Sequence, residues 1–276
     1  MWKALFKSPG FIFGAGLFVL TVLLAVFAPV VMSFDAKTRV GLAYMAPSSE
    51  HWLGTDHLGL DMLARLIAGL RSSLYVGFLA GTVATVVGTL IGVYGGYKGG
   101  LLDDVLTVLT NLFLVIPSLI ILILLSSSLE EGRSRTLIAL IIGCTTWTWS
   151  ARAVRAQSSS IRSRDHVSLA RVNGYSTLGI VVLHILPYLL SYVFMVFILQ
   201  TATAILSEAS ISMLGLGPYD SVSLGTILND AMKSEALVDG AWWAFFPAMT
   251  LVTVIAFSLY VVNTAMEGVF NPRLRK

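Results

Sequence analysis

Charge is scarce in this chain. Asp, Glu, Lys and Arg together make up 12% of its 276 residues, while 56% are hydrophobic. With a mean hydropathy of +0.84, this balance excludes an ordinary soluble domain and points to a chain whose folding solvent is lipid. Cysteine is almost absent: Cys144 is the single one, placed inside an apolar run. Without a partner in the chain it forms no internal disulfide and no cysteine-based metal site, and a packed small hydrophobe is expected. No basic stripe interleaves with exposed aromatics, so nucleic acid is not an expected partner. The apolar runs are continuous instead of alternating, which excludes a transmembrane β-barrel.

Motifs for chemistry are also missing. Gly95-Gly96-Tyr97-Lys98-Gly99-Gly100 lacks the Lys-Ser/Thr spacing of a phosphate loop and follows an apolar span instead of a strand, so a tight turn is expected. His51 and His57 lie near Asp56 and Asp61, but the spacing matches no common ligand pattern and a structural loop role is expected. His166 and His184 are isolated, and no nucleophile–base or paired-carboxylate arrangement emerges. No metal, cofactor or catalytic residue is assigned. Ionisable residues near the middle of the apolar runs are nearly absent, with only Glu208 and Glu267 close to span ends. A self-powered carrier usually needs such groups, so the pattern argues against one while leaving a passive pore open.

What is present is six apolar runs, each long enough to cross a bilayer as a helix. They cover 11–32, 74–94, 105–125, 137–157, 186–206 and 242–262. The first follows Lys3 and Lys7 like a signal peptide, yet it is longer than a secretory core and no small-residue cleavage site follows, so a retained span is expected. Eleven of the 18 Lys and Arg residues fall on the side of the N-terminus, and 11 of the 15 acids fall on the other. The basic excess places both termini in the cytosol. Residues 1–73 then hold a tail, the first span and a first external loop. Residues 74–276 hold a five-helix core with a cytosolic loop over about 158–186 and an external loop over 208–241. Each external loop, 33–73 and 208–241, is expected to contain a short interfacial helix; in the second, Leu224, Ile227, Leu228 and Met232 recur at helical spacing. These loops would serve either as interface packing or as a gate and receptor for an external partner.

Within the membrane, Ala80, Ala84, Gly88, Gly92 and Gly96 form a ridge of small residues on one helix face. Such a ridge admits a second helix at close range, from this chain or from another subunit. Pro117 in the third run removes a backbone donor and bends its helix. The interval from Arg152 to His184 carries Arg152, Arg155, Arg162, Arg164 and Arg171 against one acid, Asp165, and runs into Ile185-Leu186-Pro187. So cationic a segment between spans suggests a cytosolic surface that docks a soluble partner.

Several motifs, in order, resemble the permease subunits of ABC importers for peptides and nickel, in particular the dipeptide- or oligopeptide-permease C-type subunit. They are Gly54-Thr55-Asp56-His57-Leu58-Gly59-Leu60-Asp61 with Leu66 and 69–73, Gly95-Gly96, Ile116-Pro117-Ser118, Leu214-Gly215-Leu216-Gly217 and Asn271-Pro272-Arg273-Leu274-Arg275. The resemblance covers almost the whole chain. The basic interval falls where that family has its EAA coupling loop: Gly174, nine residues, His184-Ile185 and Leu186-Pro187 fit the spacing. The Glu-Ala-Ala positions read Ser168-Leu169-Ala170, so only the final alanine matches, and Asp165, one turn earlier, is a candidate substitute for the missing acid. Leu60 also stands where the family usually has arginine.

The resemblance implies an all-α, six-span inner-membrane protein with cytosolic coupling helices, the MetI-like permease fold. Two short helices with Gly174 at their turn would insert into a groove on a cytosolic ATPase, with Ala170 allowing close approach, Leu169 and Val172 docking and Arg171 on the rim. The implied partners are a second homologous permease, one or two ATPases that bind ATP and Mg, an extracytoplasmic substrate-binding protein and the bilayer. Peptides are the implied substrate class, with nickel chelates, glutathione and oligosaccharides carried by close relatives. Rival readings are a stand-alone carrier or channel, and a membrane scaffold whose basic loop binds anionic lipid.

Overall fold

The structure is a computed structural model that describes residues 5–31, 35–129 and 133–270. Among these the regular elements are helical, and β-pairing is limited to isolated bridges at Arg39–Leu60 and Thr55–Asp61. The end of the first run at Met32, the start of the first loop and the motif at 271–275 lie outside the described residues. Helix α1 covers Pro9–Val31, α2 Met62–Lys98, α3 Gly100–Val115, α4 Ser118–Ser127 and α5 Arg135–Arg162. A short α6 (Asp165–Val172) precedes the long α7 (Thr177–Leu216), which is followed by α8 (Leu224–Lys233) and α9 (Phe246–Phe270). Helices α1, α2, α5, α7 and α9 are each long and apolar enough to cross a membrane. Helices α3 and α4 pass the same test only as a bent pair, which makes a sixth crossing if the two halves form one broken span.

Two spans run well past their apolar windows. Helix α2 begins at Met62 instead of Leu74, because Asp61 caps it by accepting the Ala64 amide at 2.9 Å and because Met62, Leu66 and Leu70 are buried in the core. Arg65 and Arg71 depress the local hydropathy and hide this extension from a sequence scan. The helix expected in the first loop is therefore this extension, and residues 35–61 form a non-helical strap. Helix α7 likewise reaches beyond 186–206 at both ends through π-turns at Val181–Ile185 and Ser212–Leu216. The first of these lies just ahead of Pro187, which cannot donate to the preceding turn.

At Ile116-Pro117 the third span breaks, and its halves diverge by 77°. Pro117 offers no amide, and Ile116 before it is extended (φ −83°, ψ 123°), the region a residue preceding proline prefers. In the second loop α8 forms as the spacing predicts, closed by a capping box between Ser223 and Thr226. Leu224 and Ile227 are buried and Leu228 packs against the same core, but Met232 is exposed while its neighbour Ala231 is buried, so the last turn of α8 presents Ala231 instead of Met232 to the protein.

Helix α2 is the axis of the fold, and the small-residue ridge packs within the chain, against α5. A Cβ on Gly92 would stand 2.5 Å from the Ala151 carbonyl, one on Gly96 2.6 Å from the Arg155 carbonyl, and one on Gly88 would collide with Ser150. Ala80 and Ala84 are fully buried, and the Ser150 hydroxyl donates to the Ala84 carbonyl at 2.8 Å. Small residues thus let two backbones touch, the favoured packing where lipid supplies no hydrophobic drive. Cys144 corrects its expectation: it is exposed on the outer face of α5 instead of packed inside. The glycine run at 95–100 turns only at Gly99 and Gly100 (φ +65° and +66°), since α2 continues through Lys98.

Candidate functional site

Three polar regions stand out, at the two ends of the bundle and at the break in the third span. At the basic end, α6 is amphipathic: Val167 and Ala170 are buried against Tyr97, Val154, Ile180 and Ile185, whereas Leu169 is 62% and Val172 85% exposed. Lone exposed leucines need no explanation, but adjacent apolar residues on one projecting helix form a patch suited to a partner. Asp165, Ser168 and Arg171 are exposed beside it. Gly174 follows with φ +78°, the left-handed conformation that ends a helix and that glycine adopts without strain. Its amide donates to the Arg171 carbonyl at 3.1 Å and that of Tyr175 to the Ala170 carbonyl at 3.2 Å. The chain then re-enters a helix at Thr177, capped by Ser176. The expected helix–turn–helix is present, although its second helix is the start of α7 instead of a separate piece.

Ala170 departs from its expected place. It is 3% exposed and faces the chain's own core, so its small size lets α6 settle on the bundle instead of admitting a partner. Two of the five arginines are also committed internally. Arg155 forks onto Asp103 at 2.5 and 2.7 Å, and Arg152 donates to Asn111 at 2.7 Å, which ties α5 to α3. Arg162, Arg164 and Arg171 remain exposed around α6.

At the opposite end the strap is wired to itself and to the helices. Gly54 (φ +62°) and Gly59 (φ +77°) turn the chain where a side chain would strike the Met45 and Gly41 carbonyls. Thr55 donates to the Leu42 carbonyl at 2.7 Å and accepts the Met45 amide at 2.8 Å. Asp56 is 2% exposed; it accepts the Leu58 and Leu60 amides, both at 2.8 Å, and pairs with Arg65, which reaches Asp230 of α8 at 2.6 Å. Asp61 caps α2 and meets His51 Nδ1 at 2.8 Å. Glu208 is fully buried, accepting from Ser73 at 2.8 Å and Ser212 at 2.6 Å, while Ser73 accepts the Leu224 amide at 3.1 Å. Gly215 (φ +81°) kinks the chain within the second π-turn of α7, Gly217 packs where a Cβ would collide with Ser212, and Leu214 is exposed. The motif residues of this end therefore build a folded cap on the bundle.

The third region is a cavity of about 450 Å³ at the break between α3 and α4. Phe113, Pro117, Trp149 and Tyr260 supply apolar walls; Thr145, Thr146, Gln200 and Thr203 supply polar ones, and no lining residue is charged. That mixture and size suit a small-molecule site. Of these residues only Pro117 stood out in the sequence. A search for intramembrane charges passes over Thr and Gln, and the usable signal was the density of uncharged polar residues at 145–148 and 200–203.

Comparison with known proteins agrees with this architecture. The family described as binding-protein-dependent transport system inner membrane component matches residues 84–276, and the N-terminal transmembrane domain of oligopeptide transport permease C matches residues 1–47. The chain is 33% identical to the oligopeptide transport system permease protein OppC of Bacillus subtilis, over 95% of this chain and 85% of that one. It is 31% identical to the dipeptide transport system permease protein DppC of the same organism, over 100% and 85%. Against the OppC protein of Mycobacterium tuberculosis identity is 34%, over 76% and 72%. A multi-pass helical chain with these matches is a transport component and not an enzyme, and it belongs to the family of binding-protein-dependent transport system inner membrane components.

Proposed function

We propose that this chain forms half of the translocation path of an ABC importer for peptides or similar small solutes, in a bacterial or archaeal cell (inner) membrane. A second, homologous permease would complete the path, and an extracytoplasmic binding protein would deliver substrate to the cap formed by the strap and α8. Both termini and α6 would face the cytosol, in keeping with the excess of Lys and Arg on that side. One or two ATPases would bind ATP and Mg there, receive α6 and drive the switch between inward- and outward-facing states as a rigid-body motion.

The observation that carries this reading is α6 itself. Its inner face is anchored on the bundle through Val167 and Ala170, while Leu169 and Val172 are left bare at a glycine turn. A lever needs that division, since it must be rigid toward its own domain and apolar toward the motor. The names of the relatives, oligopeptide and dipeptide permeases, support peptides as the substrate class.

Gly174→Val tests the reading. No heavy atom lies within 4 Å of a Cβ placed at Gly174, so the change acts chiefly through the left-handed backbone, at a cost of about 1–2 kcal/mol. Membrane insertion should survive, whereas peptide-stimulated ATP hydrolysis by the reconstituted complex should fall severalfold. Unchanged stimulation would overturn the coupling role of this turn.

A further inference from the structure

The cavity at the break in the third span carries two unpartnered hydrogen-bonding poles. One is Gln200, 4% exposed, whose amide nitrogen donates to the Thr146 carbonyl at 2.9 Å. A carbonyl only accepts, so the nitrogen must face it, and the orientation of the amide is settled by its partner. Oε1 therefore points away from Thr146, and it has no hydrogen-bond partner among the described residues although Gln200 lines the cavity. Around it, Thr146 and Thr203 have spent their hydroxyl protons on the Ile142 and Leu199 carbonyls of their own helices, at 2.8 and 2.9 Å. Their free lone pairs add acceptor character to the same wall.

The other pole is the start of α4. Pro117 occupies its cap position without a side-chain acceptor. The first internal bonds of the helix come from the Ile120 and Ile121 amides to the Pro117 carbonyl. The amides of Ser118 and Leu119 have no partner among the described residues, and Ser118 lines the cavity. Exposed helix N-termini attract carbonyl and carboxylate oxygens through these donors and the positive end of the helix dipole. A broken transmembrane helix can present such a donor at membrane depth where it lines a cavity instead of lipid, as Ser118 does. Donor and acceptor thus lie on residues that line one half-open, uncharged cavity with aromatic walls.

We propose that this cavity is a subsite for the main chain of a short peptide. Gln200 Oε1 accepts a peptide N–H, and the Ser118 amide donates to a peptide carbonyl or carboxylate. Every peptide unit except one preceding proline carries both groups, whatever its side chain. The absence of charge on the walls leaves Phe113, Trp149 and Tyr260 to contact side chains without selecting their sign. This inference rests on the proposed peptide permease role and adds where and by which atoms the substrate is read.

The test uses the complete transporter in proteoliposomes, with its binding protein, and measures initial uptake of tri-alanine and of its analogue N-methylated at the central amide. Gln200→Leu should lower tri-alanine uptake about tenfold, the effect of one buried hydrogen bond. It should lower uptake of the methylated analogue less than about twofold, each relative to wild type with the same peptide. Dividing by wild type removes any difference in delivery by the binding protein. Equal losses for both peptides, or no loss, would overturn the acceptor pole. Ser118→Pro deletes the donor amide at a position where proline is tolerated, behind a Pro117 already held at φ −56°, ψ 121°, as a following proline requires. Its tri-alanine uptake should fall about tenfold below that of Ser118→Ala, which keeps the amide; rates within about twofold would overturn the donor pole. A wild-type complex that hydrolyses ATP yet moves no tri-alanine would count against the peptide role. Wild-type uptake with flat responses would count against the subsite alone.

Discussion

The two ends of the bundle handle charged groups in opposite ways. At the end capped by the strap, Asp56, Arg65 and Glu208 are buried and each finds partners within the chain. At the basic end, Leu169, Val172 and Arg171 are left exposed on a helix whose other face is anchored. Both ends leave apolar side chains bare, among them Leu42, Trp52, Leu237 and Val238 at the strap end. The strap end, however, pairs its buried charges within the chain, whereas the basic end leaves its arginines around α6 exposed. Buried charges without partners are costly, so the strap end has little freedom to change and suits a fixed platform. The basic end has completed only the contacts that hold α6 to the bundle, which is what a detachable connection to another subunit requires.

The sharpest way to break this contrast is Arg65→Met. It leaves Asp56 and Asp230 facing each other without a cation, and removing one partner from a buried ion-pair network costs about 3–5 kcal/mol. Thermal unfolding in detergent, followed by intrinsic tryptophan fluorescence, should begin many degrees lower; an unchanged midpoint would show that the cap does not depend on this network. Gly92→Leu attacks the seam that joins the two ends. Its side chain would drive into the Ala151 carbonyl and Val154, and overpacking of this kind costs about 1–3 kcal/mol. The same melt, together with loss of monodisperse protein in gel filtration, should report it.

Smaller effects separate the two faces of α6. Ala170→Asp should destabilise the isolated chain, because Ala170 is buried against its own core. Leu169→Asp should leave the melting midpoint within about a degree, as an exposed substitution usually does, and lower peptide-stimulated ATP hydrolysis in the complex. Equal behaviour of the two variants would contradict the division of faces. The smallest change is expected from Ser168→Glu. At this exposed position a restored acid should alter ATPase affinity by about 0.5–1 kcal/mol, the range of a solvent-exposed ion pair. Identical affinities, titrated by surface plasmon resonance, would show that this contact is dispensable here.

Much of the fold was legible because hydropathy and small-residue spacing are local signals. Each apolar run has a helix or helix pair over most of its length, although α2 and α7 extend well beyond theirs and α9 is displaced to Phe246–Phe270. The break at Pro117 follows from its missing amide. The ridge at 80–96 was visible as a helix face able to take a close neighbour. Where the signal failed, a tertiary contact outweighed the local one. Met62 begins α2 early because its apolar face is buried by other helices, although Arg65 and Arg71 make the window look polar. Ala170 and Met232 sit on faces that only the surrounding packing assigns. The cavity was not legible, because Gln200 and Thr146 lie far apart in sequence and neither is charged.

Composition and periodicity by themselves determined that the chain lives in a membrane, which stretches are long and apolar enough to cross it and where one of them is interrupted. They did so because the cost of placing polar backbone and charge in lipid is paid residue by residue. Tertiary structure decided what those crossings enclose. Helix α5 rather than another subunit fills the groove on α2, Asp103 and Asn111 take up two of the five arginines, and Gln200 and Ser118 open onto one cavity. Each of these depends on which helix faces which, and helix faces are chosen by side-chain shape and hydrogen-bond satisfaction summed over the whole bundle.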